Sequence, residues 1–185
     1  MKVLIACEFS GIVRDAFKAK GHDAWSCDLL QTEISGNHIQ DNILKNLNEG
    51  WDMMIAFPPC PYLTVSANKH YKINPERYYL RLKAAKFFID LALSNIERIA
   101  IENPIGVMSG FFRKPDQIIQ PWMFGHGETK STCLWLKNLP KLEPTNIVDG
   151  REGRIWKMPP SPDRWKERSR TFTSIAQAMA EQWNF

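Results

Sequence analysis

The amino-acid sequence predicts an α/β fold in which a parallel β-sheet carries helices on both faces. Short apolar runs that suit buried strands alternate along the chain with segments whose apolar residues recur at helical spacing. A strand, a helix and a further strand in that order place the two strands parallel. Ligands bind such sheets at the carboxyl ends of the strands, and the least ordinary residues of this chain directly follow its strands.

Each predicted strand is a short apolar run, and each predicted helix has an apolar stripe. The longest helix has Pro75 near its start, a position that suits proline. Its predicted core-facing stripe consists of Leu80, Ala84, Phe87, Phe88 and Leu91. In chain order, the predicted strands are residues 3–6, 22–27, 53–57, 96–101 and 133–136, and the predicted helices are residues 11–20, 75–95 and 175–182.

The composition is that of a globular protein. Apolar residues make up 44% of the chain and charged residues 24%, which excludes a disordered chain. No apolar run reaches the roughly 18 residues of a membrane-spanning helix, and the first seven residues predict a strand rather than a secretory signal. At roughly 150 residues per domain, residues 1–185 predict a single domain.

The cysteines and histidines give no sign of a metal site. The four cysteines stand at positions 7, 27, 60 and 133 and lack the close spacing of zinc ligands. The four histidines are equally scattered. Scattered cysteines without a secretory signal are typical of reduced thiols, so we expect a cytoplasmic protein.

The net charge of +4 is concentrated in one segment. Residues 151–170 contain seven basic and three acidic residues, which accounts for the whole excess. Trp156 and Trp165 lie among these cations, and such a mixture suits phosphate contacts and base stacking. A solvated loop that packs through its tryptophans fits the pattern equally well. The candidate contacts to nucleic acid are Arg164, Lys166 and Arg168, with Arg113 and Lys114 as an extension of the same surface.

Cys60 follows the third predicted strand and is surrounded by Pro58, Pro59 and Pro61. Prolines fix the local backbone and would hold the thiol on a rigid turn, as a nucleophilic cysteine requires. A cysteine that only fills apolar space is the ordinary alternative, but it belongs inside a strand. Glu102 ends the next strand, where burial would raise the pKa of its carboxyl group and suit proton donation. Its alternative is a surface strand end.

Gly11 lies where the first strand meets the first helix, and a residue without a Cβ lets backbone amides approach a ligand there. Asp28 ends the second strand, where an acidic side chain commonly binds ribose hydroxyls in nucleotide-binding sheets. Each residue also has an ordinary explanation, as a turn glycine or a helix cap. Together they favour a cofactor that contains adenosine.

These residues give the chain a resemblance to the DNA cytosine-C5 methyltransferases, and most of all to the short members from bacteriophage genomes that lack a separate target-recognition domain. The resemblance covers nearly the whole chain in the family's motif order. It implies a Rossmann-like fold that binds S-adenosylmethionine. The residues that it implies at the cofactor are Phe9, Ser10, Gly11, Asp28, Asp41, Pro58 and Ser174, and those that it implies in catalysis are Pro59, Cys60, Glu102 and Asn103.

The resemblance also implies a reaction and a setting. Cys60 adds to C6 of cytosine, Glu102 stabilises or protonates N3, and C5 takes a methyl group before its proton is lost and Cys60 is released. A base inside a duplex must first be flipped out. The implied partner is DNA, in the cytosol of a bacterium or of a phage-infected host, with a role in restriction and modification. A homodimer is one way for so small an enzyme to hold a duplex.

The sequence departs from the family at several motifs. Val13 replaces the second glycine of the cofactor loop, and Thr173-Ser174 replaces the glycine-asparagine of the last motif. Lys130 is the cation nearest to the place of the family's paired arginines, which makes it a further candidate for nucleic-acid binding. Residues 138–169 stand where full-length relatives insert target recognition. Two alternatives therefore stay open: C5 modification of free cytidine nucleotides or RNA, and a catalytically inactive DNA-binding relative.

Overall fold

A computed structural model describes residues 1–71 and 73–185, and its centre is a seven-stranded sheet. The strands are β1 (Lys2–Ala6), β2 (Asp23–Asp28), β3 (His38–Gln40), β4 (Met53–Ala56), β5 (Arg98–Pro104), β6 (Gln117–Ile119) and β7 (Thr132–Lys137). Their order across the sheet is β3-β2-β1-β4-β5-β7-β6. Neighbours among the first five strands pair in parallel, whereas β7 pairs antiparallel with both β5 and β6.

The helices differ widely in length. They are α1 (Ile12–Ala19), α2 (Asn68–Tyr71), α3 (Arg77–Ala92), α4 (Met108–Phe111), α5 (Arg154–Lys157), α6 (Arg164–Ser169) and α7 (Thr173–Gln182), with short 3₁₀ turns at Ile43–Lys45, Val65–Ala67 and Pro121–Met123. Within residues 1–71 and 73–185, no helix is long and apolar enough to cross a membrane.

Helices cover both faces of the sheet, as the sequence predicts. On one face, Phe17 from α1 and the buried Trp183 just after α7 join a core that contains Ile5. On the other face, Phe88 from α3 joins a core that contains Leu4. Ile5 and Leu4 enter opposite cores because successive side chains of a strand point to opposite faces.

The prediction of a parallel sheet is confirmed for β1 to β5 and is wrong for β7, which runs antiparallel to β5. The segment between β6 and β7 contains a 3₁₀ turn and loops instead of a helical crossover. Without such a crossover the chain returns in the opposite direction, as antiparallel neighbours allow. β3 and β6 have three residues each and show no periodicity from which they could be predicted.

The α3 helix buries a different stripe near its start from the predicted one. Phe88 and Leu91 face the core as expected, but Leu80 is exposed and Arg81 is buried. Arg81 turns inward because its guanidinium donates a hydrogen bond to the carbonyl of Tyr62 in the loop after β4. The hydrogen bond from this buried cation therefore decides which side of the first turns faces the protein.

Candidate active site

Cys60 and Glu102 lie at the carboxyl ends of two neighbouring strands. β4 and β5 pair in parallel with Ala56 opposite Ile101, so the loop that carries Cys60 begins beside Glu102. Asn103 is buried, and its Nδ2 donates a hydrogen bond to the carbonyl of Pro58 at 2.9 Å. The structure therefore brings the predicted Pro-Pro-Cys and Glu-Asn segments together.

The turn after Cys60 is clamped by the chain that follows β5. The Cys60 carbonyl accepts hydrogen bonds from the amides of Leu63 at 2.9 Å and Thr64 at 3.2 Å. The Leu63 carbonyl in turn accepts the amide of Val107 at 2.9 Å. A Cβ atom on Gly106 would lie 2.0 Å from the Leu63 oxygen, so only glycine allows this approach.

Two side chains hold the same loop from the α3 side. Arg81 Nε donates to the Tyr62 carbonyl at 3.0 Å, and Tyr71 Oη donates to the same oxygen at 2.8 Å. The Arg81 guanidinium also donates to Asn68 Oδ1 at 2.7 Å and lies 3.7 Å from the Tyr71 ring centroid. The position of the Cys60 loop is thus fixed by both α3 and β5.

The electrostatics of the site favour neutral forms of both reactive groups. Burial and the neighbouring Glu102 charge raise the pKa of the Cys60 thiol, while Lys130 and Arg168 lower it. Burial also raises the pKa of Glu102, against the opposing effects of Lys130 and of a hydrogen bond with Thr132. A carboxyl group that keeps its proton suits an acid, and while it is protonated the charges that act on the thiol are those of Lys130 and Arg168.

A narrow cleft beside Glu102 joins this site to the start of α7. Its walls are Phe57, Glu102, Lys130, Thr132, Thr171, Phe172, Ile175 and Met179. Ser174 Oγ is buried at the same helix start, and it has no hydrogen-bond partner among the residues that the structure describes. The polar groups that line the cleft itself are those of Glu102, Lys130, Thr132 and Thr171.

The loop after β1 contains Phe9, Ser10 and Gly11, and Glu8 is its buried anchor. The Glu8 carboxylate accepts hydrogen bonds from the amides of Val13 at 2.7 Å and Arg14 at 3.2 Å, and from Ser10 Oγ at 3.1 Å. It thereby satisfies the free amides at the start of α1. Gly11 has φ 77°, and a Cβ there would lie 2.6 Å from the Arg14 guanidinium.

The loop after β2 closes over the loop after β1. The amide of Glu33 donates to the carbonyl of Phe9 at 2.8 Å. Arg14 is fully buried, and its guanidinium donates to Thr32 Oγ1 at 3.2 Å and to the Ile34 carbonyl at 2.9 Å. Neither Glu8 nor Arg14 is among the residues predicted from the sequence. Arg14 stands three residues before the buried Phe17, and this helical spacing is the signal that indicates its burial.

Asp28 and Asp41 complete the row of strand ends. Burial raises the pKa of Asp28, whose Oδ1 accepts the amide of Leu30 at 2.9 Å. Asp41 follows β3, and its carboxylate accepts the amide of Asn42 at 2.7 Å and Lys45 Nζ at 3.2 Å, which lowers its pKa. The predicted cofactor residues from Phe9 to Pro58 thus follow four adjacent strands, and Ser174 lies at the start of α7.

The basic segment at residues 151–170 lies against this row. The Trp165 ring centroid is 5.8 Å from that of Phe9, so α6 packs over the loop after β1. Lys130 Nζ donates to the Arg168 carbonyl at 3.1 Å. Arg170 forms two hydrogen bonds with Glu33, at 3.0 and 2.7 Å. Helix α6 therefore contacts the loop after β1 through Trp165, and Arg168 just after its middle contacts Lys130, the cation that with Arg168 lowers the pKa of Cys60.

The other candidate cations are less closely tied to the site. Arg164 and Lys166 are half-buried on α6, and Lys114 is exposed. Arg113 pairs with Asp116 at 2.7 Å and donates to the Leu136 carbonyl at 2.8 Å, in the wall of a separate 360 Å³ cavity. The structure does not bring Arg113 to Cys60.

The sequence matches no protein-family model and no curated protein. Solved structures that it resembles include a protein described as a DNA modification methyltransferase encoded within a prophage of E. coli, and the Entamoeba histolytica methyltransferase EhMeth. Both are 16% identical to this chain, with TM-scores of 0.50 and 0.51 over 79% of it. The matches cover 51% and 57% of their lengths, so the chain spans about half of each. At this identity the likeness concerns the fold alone, and the chain has a Rossmann-like α/β fold similar to that of these two proteins.

Proposed function

We propose that the protein is an S-adenosylmethionine-dependent DNA methyltransferase that transfers a methyl group to C5 of cytosine through a covalent adduct with Cys60. One observation carries the proposal: the 2.9 Å hydrogen bond from Asn103 to Pro58 holds the Cys60 loop beside Glu102. A cytosine ring is a poor partner for an electrophile until a nucleophile has added to it. A thiol and a carboxyl acid held side by side suit that addition.

The residues at the strand ends fit the cofactor. Asp28 is half-buried and offers a carboxylate to ribose hydroxyls. Ser174 Oγ is buried without a partner in the described part of the chain, and it offers a hydrogen bond to a polar ligand group. Phe9 and Pro58 supply apolar surface. When bound, S-adenosylmethionine supplies an electrophilic methyl group.

The protein's own residues then handle the bonds and protons of the base. Cys60 gives its proton to solvent and its sulfur bonds to C6, while the protonated Glu102 gives a proton to N3. Electron density collects at C5, which becomes nucleophilic and accepts the methyl group. A water molecule then takes the C5 proton, the electrons of that bond expel the sulfur from C6 as the Cys60 thiolate, and N3 returns its proton to Glu102.

Lys130 and Arg168 have two roles in this proposal. Their charges lower the pKa of Cys60 and so favour the thiolate that attacks. We assign them also to the phosphate beside the target base, because a cation near the nucleophile can hold a nucleotide there. Arg164 and Lys166 extend the same basic surface along α6.

The test is transfer of label from S-adenosylmethionine to cytosine in single-stranded and duplex DNA. Cys60→Ala should abolish transfer and leave calorimetric cofactor affinity within about twofold, whereas Cys133→Ala, which changes a buried core cysteine, should retain transfer. DNA that contains 5-fluorocytosine should trap a covalent complex with wild type, because fluorine cannot leave as a proton. Normal cofactor binding without label in any DNA would refute the proposal.

A second candidate is C5 modification of free cytidine nucleotides. The two cations beside Cys60 favour it, because a single phosphate next to a single base would satisfy them. The two substrates are distinguished by competition: deoxycytidine monophosphate at micromolar concentration should not inhibit a DNA enzyme, but should compete strongly if the nucleotide is the true substrate.

A further inference from the structure

The first turns of α3 present large apolar side chains to solvent. Tyr79 and Leu82 are 61% and 60% exposed, whereas Arg81 faces the protein and the ring centroid of the half-exposed Tyr78 lies 4.8 Å from that of the buried Tyr71. A helix that packs on a protein body normally shows the opposite arrangement, with apolar residues inside and cations outside. Clustered exposed apolar side chains mark a surface that binds something.

The charge of this surface indicates what it binds. Of the four basic residues in residues 77–86, Arg81 is buried and Arg77 is half-buried, so Lys83 and Lys86 are the exposed cations, and no acidic residue lies in this range. Lys83 Nζ lies 4.4 Å from the centroid of the Tyr79 ring, and the Arg77 guanidinium lies 5.1 Å from that of Tyr62. Aromatic rings accompanied by cations suit nucleic acid, since bases stack on the rings and phosphates pair with the charges.

A second copy of the chain fits the same surface less well. A two-fold symmetric interface places one patch against itself, so it would bring the cations of residues 77–86 together. Lys86 is neutralised by Asp90 in the next turn, at 2.7 Å, but Lys83 has no such carboxylate near it in sequence. The charge therefore favours a polyanion.

The surface is also tied to the candidate nucleophile. Arg81 projects from the inner side of the same turns, and its Nε donates to the Tyr62 carbonyl at 3.0 Å. Tyr62 lies two residues after Cys60, in the turn closed by the Cys60 carbonyl. The helix that carries the surface is thus joined directly to the loop that carries the thiol.

We propose that the outer face of α3, formed by Tyr79, Leu82 and Lys83, binds the DNA strand that carries the target base. The Tyr79 ring and Leu82 contact bases and sugars, and Lys83 contacts a phosphate. This inference rests on the proposed function, and it adds a second DNA surface, separate from α6, on the loop side of Cys60.

The experiment measures binding of the full-length chain to fluorescein-labelled, cytosine-containing DNA by anisotropy over a range of salt concentrations. The test variant is Tyr79→Ser with Lys83→Ser. The matched control is Phe185→Ser with Lys141→Ser, which removes one exposed ring and one exposed cation elsewhere. The test variant should bind single-stranded DNA at least about fivefold more weakly, with a log–log salt slope smaller by about 0.7. The control should bind like wild type.

Three results would contradict DNA binding by this face of α3. The test variant and the control could have equal affinity for DNA, or wild type could prefer RNA of the same sequence. Alternatively, the test variant could lose a dimer that wild type forms in light scattering, with its DNA affinity unchanged. Methyl transfer, measured on the same preparations, separates this proposal from the function on which it rests. Weakened DNA binding in the variant, without transfer in any protein, supports the surface and refutes the methyltransferase. If the variant binds DNA and transfers methyl groups like wild type, DNA binding by this face of α3 is refuted, whereas the proposed methyltransferase activity still stands.

Discussion

Asn103 joins the two strands that carry the reactive groups, because its Nδ2 donates a buried hydrogen bond to the Pro58 carbonyl at 2.9 Å. The bond connects positions 45 residues apart in the chain. It lies one residue from Glu102 and two from Cys60, so a change in it alters the relative position of the proposed acid and the proposed nucleophile.

Asn103→Ala should therefore cost both stability and activity. The substitution leaves the Pro58 carbonyl unpaired in a buried place, for which we expect a loss of about 1–3 kcal/mol in the free energy of unfolding. Urea denaturation measures this loss, and methyl transfer should fall even where the variant is fully folded. Asn48→Ala, at an exposed loop position, is the control and should change neither quantity. A folded Asn103→Ala protein with normal turnover would contradict the positioning role.

Gly106→Ala should disturb the Cys60 turn more than its size suggests. The added methyl group would lie 2.0 Å from the Leu63 carbonyl oxygen, so the backbone must move, at a cost of roughly 1–3 kcal/mol. Gly110→Ala is a matched control, because no atom lies within 4 Å of its Cβ position and it lies in α4. Thermal unfolding should rank Gly106→Ala well below Gly110→Ala; equal melting temperatures would mean that the contact is not tight.

Stability should depend on pH through Glu102. Burial raises its pKa above the ordinary 4.5, so the folded protein keeps a proton that the unfolded chain releases. The resulting stabilisation is complete below 4.5 and is lost as pH rises through the raised pKa. Wild type should therefore lose stability relative to Glu102→Gln as pH increases over this range. Glu8, whose pKa is also raised by burial, is present in both proteins and cancels. If urea titrations gave a stability difference between wild type and Glu102→Gln that does not change with pH, the raised pKa of Glu102 would be contradicted.

Alkylation of Cys60 should report its charged neighbours. Lys130 lowers the pKa of the thiol, so Lys130→Gln should raise it and slow reaction with iodoacetamide at a given pH. Peptide mass spectrometry resolves Cys60 from the other cysteines and gives the rate as a function of pH. Lys114→Gln removes an exposed lysine from the segment after α4 and should leave the profile in place. If Lys130→Gln left the midpoint of the pH profile of Cys60 alkylation unchanged, Lys130 would have no electrostatic effect on the thiol.

The contact between Glu33 and Arg170 should control access to α6 rather than global stability. Both side chains are about one-third exposed, and such ion pairs contribute about 0–1 kcal/mol. Glu33→Gln should leave the melting temperature nearly unchanged and accelerate tryptic cleavage after Lys166 and Arg168, because α6 buries no residue of its own. Glu49→Gln, which removes another exposed carboxylate, should leave the rate of tryptic cleavage unchanged. Equal cleavage rates would show that α6 is held by other contacts.

The sequence predicts that Cys60 and Glu102 lie close together because their placement follows from strand direction. Once β4 and β5 are parallel neighbours, Cys60 and Glu102 must come out at the same edge. The direction of β7 could not be found in this way, since it depends on the connection that precedes it and not on the strand's own residues.

The buried arginines were missed for a different reason. Hydropathy places arginine outside, yet Arg14 and Arg81 are buried because each finds carbonyl and side-chain acceptors in a neighbouring loop. Those acceptors, among them the carbonyls of Ile34 and Tyr62, come from segments without periodicity. Local pattern therefore cannot show that they will converge on one guanidinium.

The packing of α7 against α1 has a consequence for synthesis on the ribosome. Trp183 and Ala178 share a core with Phe17, although nearly the whole of the chain separates them. The apolar side of α1 stays open to solvent until the last of these residues has left the exit tunnel. Contacts so distant in sequence form late. A nascent chain halted before α7 therefore exposes a hydrophobic surface on α1, to which chaperones would bind and through which the chain would otherwise aggregate.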